Sequence, residues 1–539
     1  MLFPTYLFAF FFLPVCLVCY YLLRFLGRPR LAILSLIGFS LFFYAWWNPG
    51  YLWILIGSIL ANYLLSRALI AARGSRPALT TGILIVGVIG NLAVLAHYKY
   101  WCLLGGDGAC QNVVLPLAIS FFTFQQIEFL IDTWNGRISA QPFTTYSLFV
   151  TFFLHLIAGP ITRHSEMMPQ FERPNDSVAA NLSIGLTIFA IGLGKKVFLA
   201  DSIGIFTDPL FASAASGNAL PLLPAWIAAV GFTLQLYFDF SGYSDMAIGV
   251  GRMFGIKLPL NFNSPFKARN IVDFWQRWHL TLTRYINAHL YGPIAASVAR
   301  RLTSKPNSFS YLMCVMAAPT ILVMTIAGIW HGAGLQYVVF GAMHGVLLAA
   351  YQTFRWGTRR WRRLETFRQS LPAWLCVAVT FGFVVISFVF FKAGSVDAAL
   401  TILKGMAGLT WAPAAPEILA QLSPLKRIAL LIGQEELRNI VIHLTYGYFE
   451  LLVIPVGLAI AWFAPNMQEF LSAHLSYQAE PDGKAASPVV YKVPPAKGRF
   501  DLLWVWRPNV IMASLTAGLV ISALMKANYQ SAAFLYFQF

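Results

Sequence analysis

Long apolar runs separated by short polar loops dominate the chain. Most runs hold about 17–25 residues, the length at which a helix crosses a hydrocarbon core of roughly 30 Å. Because lipid offers the backbone no hydrogen-bond partner, a spanning segment pairs its own peptide groups, and Leu-, Ile-, Phe- and Ala-rich runs do so as helices. The pattern predicts an all-α polytopic membrane protein with apolar runs at 4–23, 31–47, 50–71, 79–97, 114–131, 144–159, 181–199, 219–238, 310–330, 335–353, 372–392, 440–464 and 508–525.

Some of these runs depart from the spanning pattern. Residues 144–159 form a short run and Pro116 interrupts 114–131, so we expect about 11–13 helices that are either transmembrane or re-entrant. The chain shows no internal repeat of the kind that marks many transporters. Residues 472–507 are rich in Pro, Lys, Gly and Ala and are predicted to be a soluble loop. We therefore predict a single membrane domain, 1–539, that contains this loop.

Composition and charge agree with a membrane protein. The 539 residues are 58% hydrophobic and only 11% charged, against about 25% charged residues in a soluble domain. The net charge of +17 does not indicate a nucleic-acid partner, because Lys and Arg gather in short loops between apolar runs, as in cytoplasmic loops. Basic residues follow the first and third runs, whereas 48–50 and 105–111 carry none. This bias predicts an N-terminus on the exported side.

The first run and the cysteines allow narrower expectations. Residues 4–23 lack a basic leader and a small-residue cleavage site, so we expect a retained span rather than a signal peptide. Cys16 and Cys19 have C-x-x-C spacing inside this run, which favours two buried apolar side chains. Cys102 and Cys110 bracket a Gly-rich loop, where a disulfide on the exported side and two free thiols both stay open.

His331 is the sharpest candidate for chemistry. An ionisable side chain at membrane depth is costly and indicates function, and imidazole suits proton transfer near neutral pH. The preceding Trp330 offers an apolar wall, and the glycines of 332–334 let a substrate approach the backbone. Basic clusters at 300–305 and 355–368 flank two apolar runs, which places His331 at the turn of a hairpin. The alternative is an interfacial Trp-His pair that ends a span.

A second candidate lies in the polar stretch that precedes residue 310. Asn270 is a predicted N-cap, and the apolar side chains that follow it recur at helical spacing up to Tyr285. This pattern is typical of an amphipathic helix at the membrane surface with basic side chains that snorkel. The same region would also suit an anionic donor such as a phosphorylated thioester carrier, through His279, Lys267, Arg269, Arg277 and Arg284.

Two further polar clusters interrupt apolar runs. Asp239, Tyr243 and Asp245 surround Gly242 and favour either a capped span end or polar contacts in a cavity. Gln125, Gln126, Glu128 and Asp132 follow another run. The chain contains no zinc-protease H-E-x-x-H motif, phosphate-binding loop or G-x-S-x-G nucleophile motif, and no histidine spacing indicates a metal site. His155, His344 and His443 lie in apolar runs and are interpreted as packed, hydrogen-bonded residues rather than ligands.

Taken in order along the chain, these stretches resemble the membrane-bound O-acyltransferase family, in particular its bacterial polysaccharide branch, typified by the alginate O-acetyltransferase membrane subunit. Each piece alone is weak, and their order and coverage make the resemblance specific. One segment departs from that branch, because 284–293 lacks its usual Arg-Asp-Tyr pattern, which leaves the acceptor or partner open. The matching stretches are 120–126, 158–163 with 169–171, 194–196 with 200–201, 239–245, 261–266, 274–279, 330–332 and 534–539.

The resemblance implies a ring of helices around a central tunnel, a principal catalytic histidine at His331 and a second functional histidine at His279. It implies a bacterial inner-membrane enzyme, surrounded by lipid, that uses acetyl-coenzyme A or another acyl thioester as donor without a bound cofactor or metal. Its expected partners are an exported-side acetyltransferase or acyl-relay protein and a polysaccharide acceptor. We expect donor or substrate contacts from Trp330, Asp239, Tyr243, Asp245, Asn263, Trp275, Arg277, Trp278 and Gln126.

Three alternatives to acetyl transfer stay open. The same fold transferring D-alanyl or another acyl group to a cell-envelope polymer is the nearest of them. A transporter or channel would use the intramembrane acids and histidines to line a pathway, but the missing repeat disfavours it. A scaffold would only recruit a soluble exported acetyltransferase.

Overall fold

The computed structural model describes residues 3–74, 76–105, 116–156, 159–172, 177–410, 452–471, 506, 508–529 and 535. Within these ranges the regular structure is helical and contains no strand, which confirms the all-α prediction. Nine of the helices in the described ranges are long and apolar enough to cross a membrane. They are Leu7–Phe25, Pro49–Ala72, Pro77–Trp101, Val178–Ala215, Leu222–Met253, Phe309–His331, Leu335–Thr358, Ala373–Lys392 and Val510–Ala527.

Shorter helices connect or support these segments. Apolar ones of intermediate length occur at Pro29–Ala45 and Val453–Phe463. Residues 440–451 of the predicted run 440–464 lie outside the described residues. The remaining helices are Ile119–Trp134, Phe143–Thr151, Phe153–Leu156, His164–Glu172, Ile271–Trp275, Leu280–Ile286, Gly292–Arg301, Arg362–Ser370, Val396–Met406 and Met467–Phe470.

Two predicted apolar runs are internal helices rather than continuous spans. The run 144–159 breaks at Phe152 between two short helices, and the run 114–131 begins its helix only at Ile119, after the left-handed Ala118. Nearly all side chains of both segments are buried inside the protein. Hydropathy reports how apolar a segment is, not whether lipid or protein surrounds it, and this is why the pattern left their membrane crossing open.

Two other helices are longer than their apolar runs. The predicted runs 181–199 and 219–238 correspond to Val178–Ala215 and Leu222–Met253. The first contains a π turn at Lys195–Ala200. The polar residues 239–245 therefore lie inside a helix, and the interpretation of this cluster as a capped span end is wrong. The burial of the charged Asp239 inside this helix is offset by its ion pair with Lys196.

Contacts divide the chain into two compact units. The first compact unit comprises Met1–Gly194, Gly242–Leu260 and Pro465–Gln538, and the second comprises Lys195–Ser241 and Asn261–Ala464. The single-domain organisation stays a prediction. The loop 472–507, apart from Trp506, and the side chains of Cys102, Cys110 and His443 lie outside the described residues.

In the first compact unit, glycines allow two helices to touch backbone to backbone. A Cβ at Gly185 would lie 2.5 Å from the carbonyl oxygen of Gly249, and a Cβ at Gly192 would lie 2.5 Å from that of Gly242. The two contacts are seven residues apart on each helix, which is two helical turns. Small residues at this spacing bring helices together where lipid provides no hydrophobic drive.

In the second compact unit, Phe309–His331 and Leu335–Thr358 pack along their length as a hairpin, as the flanking basic loops predicted. Gly328 faces the carbonyl oxygen of Tyr337, and Gly341 faces that of Met324, so closely that a methyl group at either glycine would collide with it. Ala373–Lys392 packs against the second hairpin helix. This close hairpin fixes where its turn lies, and with it His331.

Candidate active site

His331 is the last residue of the first hairpin helix. The helix stops there because Gly332 and Gly334 adopt extended conformations, with φ values of −170° and −88°. The predicted position of His331 at the turn of the hairpin is confirmed. A side chain at Gly332 would collide with the ring of Tyr337, so the space beside this glycine is filled by the protein's own ring.

Aromatic rings enclose the His331 imidazole, which is only 9% exposed. The ring centroids of Trp330 and Phe391 lie 4.7 Å and 5.0 Å from it, and that of Phe340 lies at 6.2 Å. Phe391 comes from the neighbouring helix Ala373–Lys392. An imidazole with little access to water and apolar walls can exchange protons with a bound reactant rather than with bulk solvent.

The segment around His279 is a broken helix, not the predicted amphipathic surface helix. Asn270 caps it as predicted, accepting a hydrogen bond from the backbone N–H of Asp273. The helix stops at Trp275, and a new one begins at Leu280, because His279 has a left-handed backbone with φ of 44°. Its apolar side chains are buried within the protein. They pack against other parts of the protein and not against the membrane surface, which the periodicity had indicated.

Asn261 holds the His279 ring in one orientation. Asn261 Oδ1 lies 3.0 Å from His279 Nδ1 and also accepts hydrogen bonds from the hydroxyl and the backbone N–H of Thr281. A backbone N–H can only donate, which identifies the Asn261 atom as the amide oxygen. His279 Nδ1 therefore carries the proton, and the lone pair of the neutral ring is on Nε2.

Burial keeps the His279 ring neutral. The side chain is 1% exposed, and the ring of Phe240 meets it edge-on at 4.8 Å. Desolvation penalises the charged imidazolium and lowers the pKa of His279 to about 3. The ring is thus a neutral imidazole near pH 7, with Nε2 as a proton acceptor.

Aromatic contacts connect the two histidines within the second compact unit. From His331, the contacts run to Phe391, then to Phe388 at 6.2 Å, and then to Trp278 at 5.2 Å. Trp278 directly precedes His279 in the chain. The two candidate catalytic residues therefore lie at opposite ends of one apolar wall.

Trp275 and His344 support this wall. The indole N–H of Trp275 donates to Nδ1 of His344 at 3.3 Å, and the His344 Nε2 lies 2.9 Å from the Ser387 hydroxyl. Ser387 in turn donates to the carbonyl of Val384. Because the protein uses both nitrogens, His344 is a packed, hydrogen-bonded residue, as predicted, and so is His155, which bonds the carbonyl of Phe149.

The candidates Asn263 and Arg277 help to join the segment 261–263 to the segment 277–280, which contains Trp278. The backbone N–H of Asn263 donates to the carbonyl of Arg277 at 2.9 Å, and Leu280 N–H donates to the carbonyl of Asn261 at 3.0 Å. The Arg277 side chain forms an ion pair with Asp273 at 2.6 Å. These contacts place Asn263 and Arg277 beside the His279 segment.

Asp239 belongs to a buried charge cluster in the second compact unit. Lys196 Nζ lies 2.7 Å from Asp239 and 2.6 Å from Asp201, and the three side chains are between 1% and 9% exposed. Lys196 lies in the π turn Lys195–Ala200, and Asp201 directly follows it. We call Lys196, Asp201 and Asp239 the triad. Asp239 is thus ion-paired with Lys196.

The other candidates lie in the first compact unit. Gln126 donates to the Ser58 hydroxyl at 2.9 Å and accepts from Tyr146 at 3.2 Å, so it links helices of that unit. The ring of Tyr243 stacks on Phe3 at 4.9 Å, and Asp245 is buried, with 7% exposure.

The sequence pattern pointed to the histidines but missed the residues that position them. Asn261, 18 positions before His279, was visible only as part of the stretch 261–266. Phe388 and Phe391 stood in an apolar run without any special mark, and Lys196 was visible only in the family resemblance. Each of these residues contacts a side chain that is distant in the sequence, so its role is visible only in the structure.

Comparisons with known proteins identify the family of this chain. A sequence model of the membrane-bound O-acyltransferase family matches residues 133–395, which include both histidines and the triad. The chain is 40% identical to the peptidoglycan O-acetyltransferase of Helicobacter pylori over 76% of this chain and 80% of that protein. It is 32% identical to the probable alginate O-acetylase of Pseudomonas aeruginosa over the full length of both.

A more distant relative is the teichoic acid D-alanyltransferase of Bacillus subtilis, 27% identical over 57% of this chain and 76% of that protein. The family match, the similarity over the full chain and the many apolar helices agree with one another. The protein is a multi-pass membrane O-acyltransferase, and the chain belongs to the membrane-bound O-acyltransferase family.

Proposed function

We propose that this enzyme transfers an acetyl group from a cytoplasmic acyl thioester, such as acetyl-coenzyme A, across the membrane for O-acetylation of an exported polysaccharide. The observation that carries the proposal is the pair of buried histidines at the two ends of one aromatic wall. An imidazole at each end would give both the donor and the acceptor a group that can exchange protons.

In this mechanism His331 is the general base. It takes the proton from the acceptor hydroxyl while the hydroxyl oxygen attacks the thioester carbonyl carbon. The carbon–sulfur bond then breaks, the ester is formed, and the proton passes from His331 to the leaving thiolate. His279 stands at the donor end with its lone pair on Nε2. General base catalysis of this kind contributes about 10²–10⁴-fold to the rate.

The acceptor is either a sugar hydroxyl or a hydroxyl on an exported relay partner that passes the acetyl group on. The names of the relatives, peptidoglycan O-acetyltransferase and probable alginate O-acetylase, favour a polymer outside the cytoplasm. We place the enzyme in the bacterial inner membrane with its N-terminus on the exported side, because the basic loops following the first and third helices favour the cytoplasm.

A second function is favoured by one specific observation, the similarity to teichoic acid D-alanyltransferase. Here the donor would be a D-alanyl thioester and the acceptor a cell-envelope polymer, with the same histidines in the same roles. Membranes containing the enzyme, supplied with either labelled acetyl-coenzyme A or a labelled D-alanyl thioester, distinguish the two donors by which label reaches polymer or protein.

The decisive test replaces His331 and His279 separately with Ala. Mass spectrometry of the exported polysaccharide should show acetylation with the wild type and none with His331→Ala, at equal amounts of protein in the membrane. His97→Ala is the matched control, because His97 is exposed and lies far along the chain from both histidines. Acetylation that persists undiminished in His331→Ala would refute the proposed role of this residue.

A further inference from the structure

Arginine side chains surround a recess at the end of the hairpin that lies away from His331. The recess has a volume of about 390 Å³ and lies entirely within the second compact unit. Four guanidinium groups stand around it against a single carboxylate. We call it the arginine recess; its lining residues are Arg355, Thr358, Arg359, Arg360, Glu365 and Arg368.

The one carboxylate of the recess is already engaged. Glu365 Oε2 lies 3.0 Å from Arg368 Nε, and its other oxygen accepts from Gln369 at 2.8 Å. These hydrogen bonds, first of all those of Arg368, lower the pKa of the Glu365 carboxyl to about 2 and keep it ionised. Glu365 therefore offsets Arg368, and the charges of Arg355, Arg359 and Arg360 are left to attract an anion.

Arg360 is held in place before any ligand arrives. Its guanidinium donates to the carbonyl of Asn307 at 2.9 Å and lies over the Trp356 ring at 4.2 Å. The Trp356 indole N–H donates to the same carbonyl at 3.2 Å. Asn307 follows the basic cluster 300–305, so both basic loops that flank the hairpin meet at this end of it.

We propose that the arginine recess binds phosphate groups, supplied either by the acyl donor or by the headgroup of an anionic phospholipid. The planar guanidinium fork matches phosphate in a bidentate geometry. The recess is also within the range of about 300–1,000 Å³ that is typical of small-molecule pockets. If the acyl donor supplies the phosphate groups, the inference rests on the proposed function. If a lipid headgroup supplies them, it does not.

The second hairpin helix connects the recess with the His279 region. His344, which accepts the Trp275 hydrogen bond, precedes Thr358 by 14 residues, a rise of about 21 Å along a helix. A donor with phosphates at one end and a thioester at the other could extend along this helix toward Trp275 and Trp278. In this arrangement the phosphates lie at the end of the helix that carries the basic loop. The charge bias predicts that this loop is cytoplasmic.

The test compares two double variants of the full-length enzyme in lipid nanodiscs. Arg355→Gln with Arg359→Gln removes two charges from the recess. The matched control, Arg28→Gln with Arg30→Gln, removes two exposed arginines where the second helix, Pro29–Ala45, begins. Binding of coenzyme A is measured in phosphatidylcholine discs, and retention of phosphatidylglycerol is measured by native mass spectrometry, both without turnover.

We expect the recess variant to bind at least one of the two ligands at least about tenfold more weakly, because the loss of one charge-assisted hydrogen bond weakens binding by about this factor. The affinities of the control should match those of the wild type. Weaker coenzyme binding identifies the donor as the source, and weaker lipid retention identifies the headgroup. Arg355→Lys with Arg359→Lys keeps the charge and should recover part of the affinity, which separates ligand binding from a folding defect.

Equal affinities of the recess variant and the control for both ligands would overturn the proposal. The outcome is independent of the proposed function, because both measurements are made without acyl transfer. A wild-type enzyme that binds coenzyme A through the recess but transfers no acetyl group refutes the proposed function and leaves the recess intact. Conversely, active enzyme with a recess variant of unchanged affinities refutes the recess alone.

Discussion

Replacing Asn261 with Ala tests whether the orientation of His279 matters for acyl transfer. Asn261 Oδ1 accepts from His279 Nδ1 at 3.0 Å and from the Thr281 hydroxyl at 2.9 Å. The variant removes this acceptor without touching the imidazole itself. We expect acyl transfer to fall while KM for the donor changes little, because a residue that positions the base affects the reacting state more than donor binding.

The magnitude follows from the lost hydrogen bond. A buried donor left without its acceptor costs about 1–3 kcal/mol, and this energy favours the tautomer with the proton on His279 Nδ1. Its removal shifts the tautomer ratio by about 5- to 150-fold toward the form in which Nε2 is protonated and cannot accept a proton. The active fraction of His279 falls by no more than this ratio, so we expect kcat to fall by at most a factor in this range, and by less than in His279→Ala.

Asn261→Asp separates tautomer control from packing. The aspartate keeps an oxygen acceptor for His279 Nδ1, so it should retain more activity than Asn261→Ala. Its negative charge favours the imidazolium and should raise the pKa of His279 from about 3 toward neutrality. The wild-type ring stays neutral at pH 5–8, so His279 should give the wild-type pH–rate profile no acid limb there, whereas Asn261→Asp should introduce one.

Membrane preparations with equal amounts of enzyme, assayed for transfer from labelled acetyl-coenzyme A, provide the rates. Nitrogen-15 NMR of histidine-labelled enzyme reports the tautomer. Thr281→Val is the matched control, because it removes a hydrogen bond to the same Asn261 oxygen and leaves that of His279. Full activity of Asn261→Ala, or equal activities of the Ala and Asp variants with unchanged thermal stability, would show that this reasoning is wrong.

Three further substitutions test the packing around the site. Lys196→Met leaves the two carboxylates of the triad without their shared ammonium, and we expect a loss of stability of about 3–5 kcal/mol, seen as a lower Tm in nanodiscs. Ser387→Ala removes the acceptor of His344 Nε2, and thermal unfolding should show a loss of about 1–3 kcal/mol with kcat nearly unchanged; a large loss of kcat at unchanged Tm would contradict the structural role. Gly328→Leu should force the hairpin helices apart and lower Tm, whereas Gly57→Leu, where an added Cβ meets no atom within 4 Å, should not.

The sequence predicted those structural features that are determined by residues close together in the chain. The hairpin and its turn followed from two apolar runs between basic clusters, and the Asn270 cap followed from one side chain and the helical spacing after it. The membrane crossing of 114–131 and 144–159 could not be predicted, because an apolar side chain is equally suited to lipid and to a protein interior. Only the neighbours of a helix decide between the two.

The break at His279 illustrates a second limit. The apolar spacing from Phe274 to Tyr285 predicted one continuous amphipathic helix, and no residue in it marks a stop. The left-handed backbone at His279 is stabilised by Asn261, which bonds the His279 ring and the backbone N–H of Leu280 through two different oxygens. Asn261, 18 residues earlier in the chain, thus overrides the helical preference of the segment around His279. The spacing of apolar residues within that segment cannot reveal such a distant contact.

Hydrogen bonds distinguish buried histidines that look alike in the sequence. His344 uses both nitrogens for Trp275 and Ser387, so proton transfer at either one would first break a structural bond, and this histidine is suited to packing. His279 is fixed through Nδ1, which commits the proton to that atom and the lone pair to Nε2. A fixed tautomer in a neutral ring is what a proton acceptor requires. His279→Gln tests this role, because the glutamine amide can donate to Asn261 but cannot take up a proton. The protein should therefore stay folded while acyl transfer is lost.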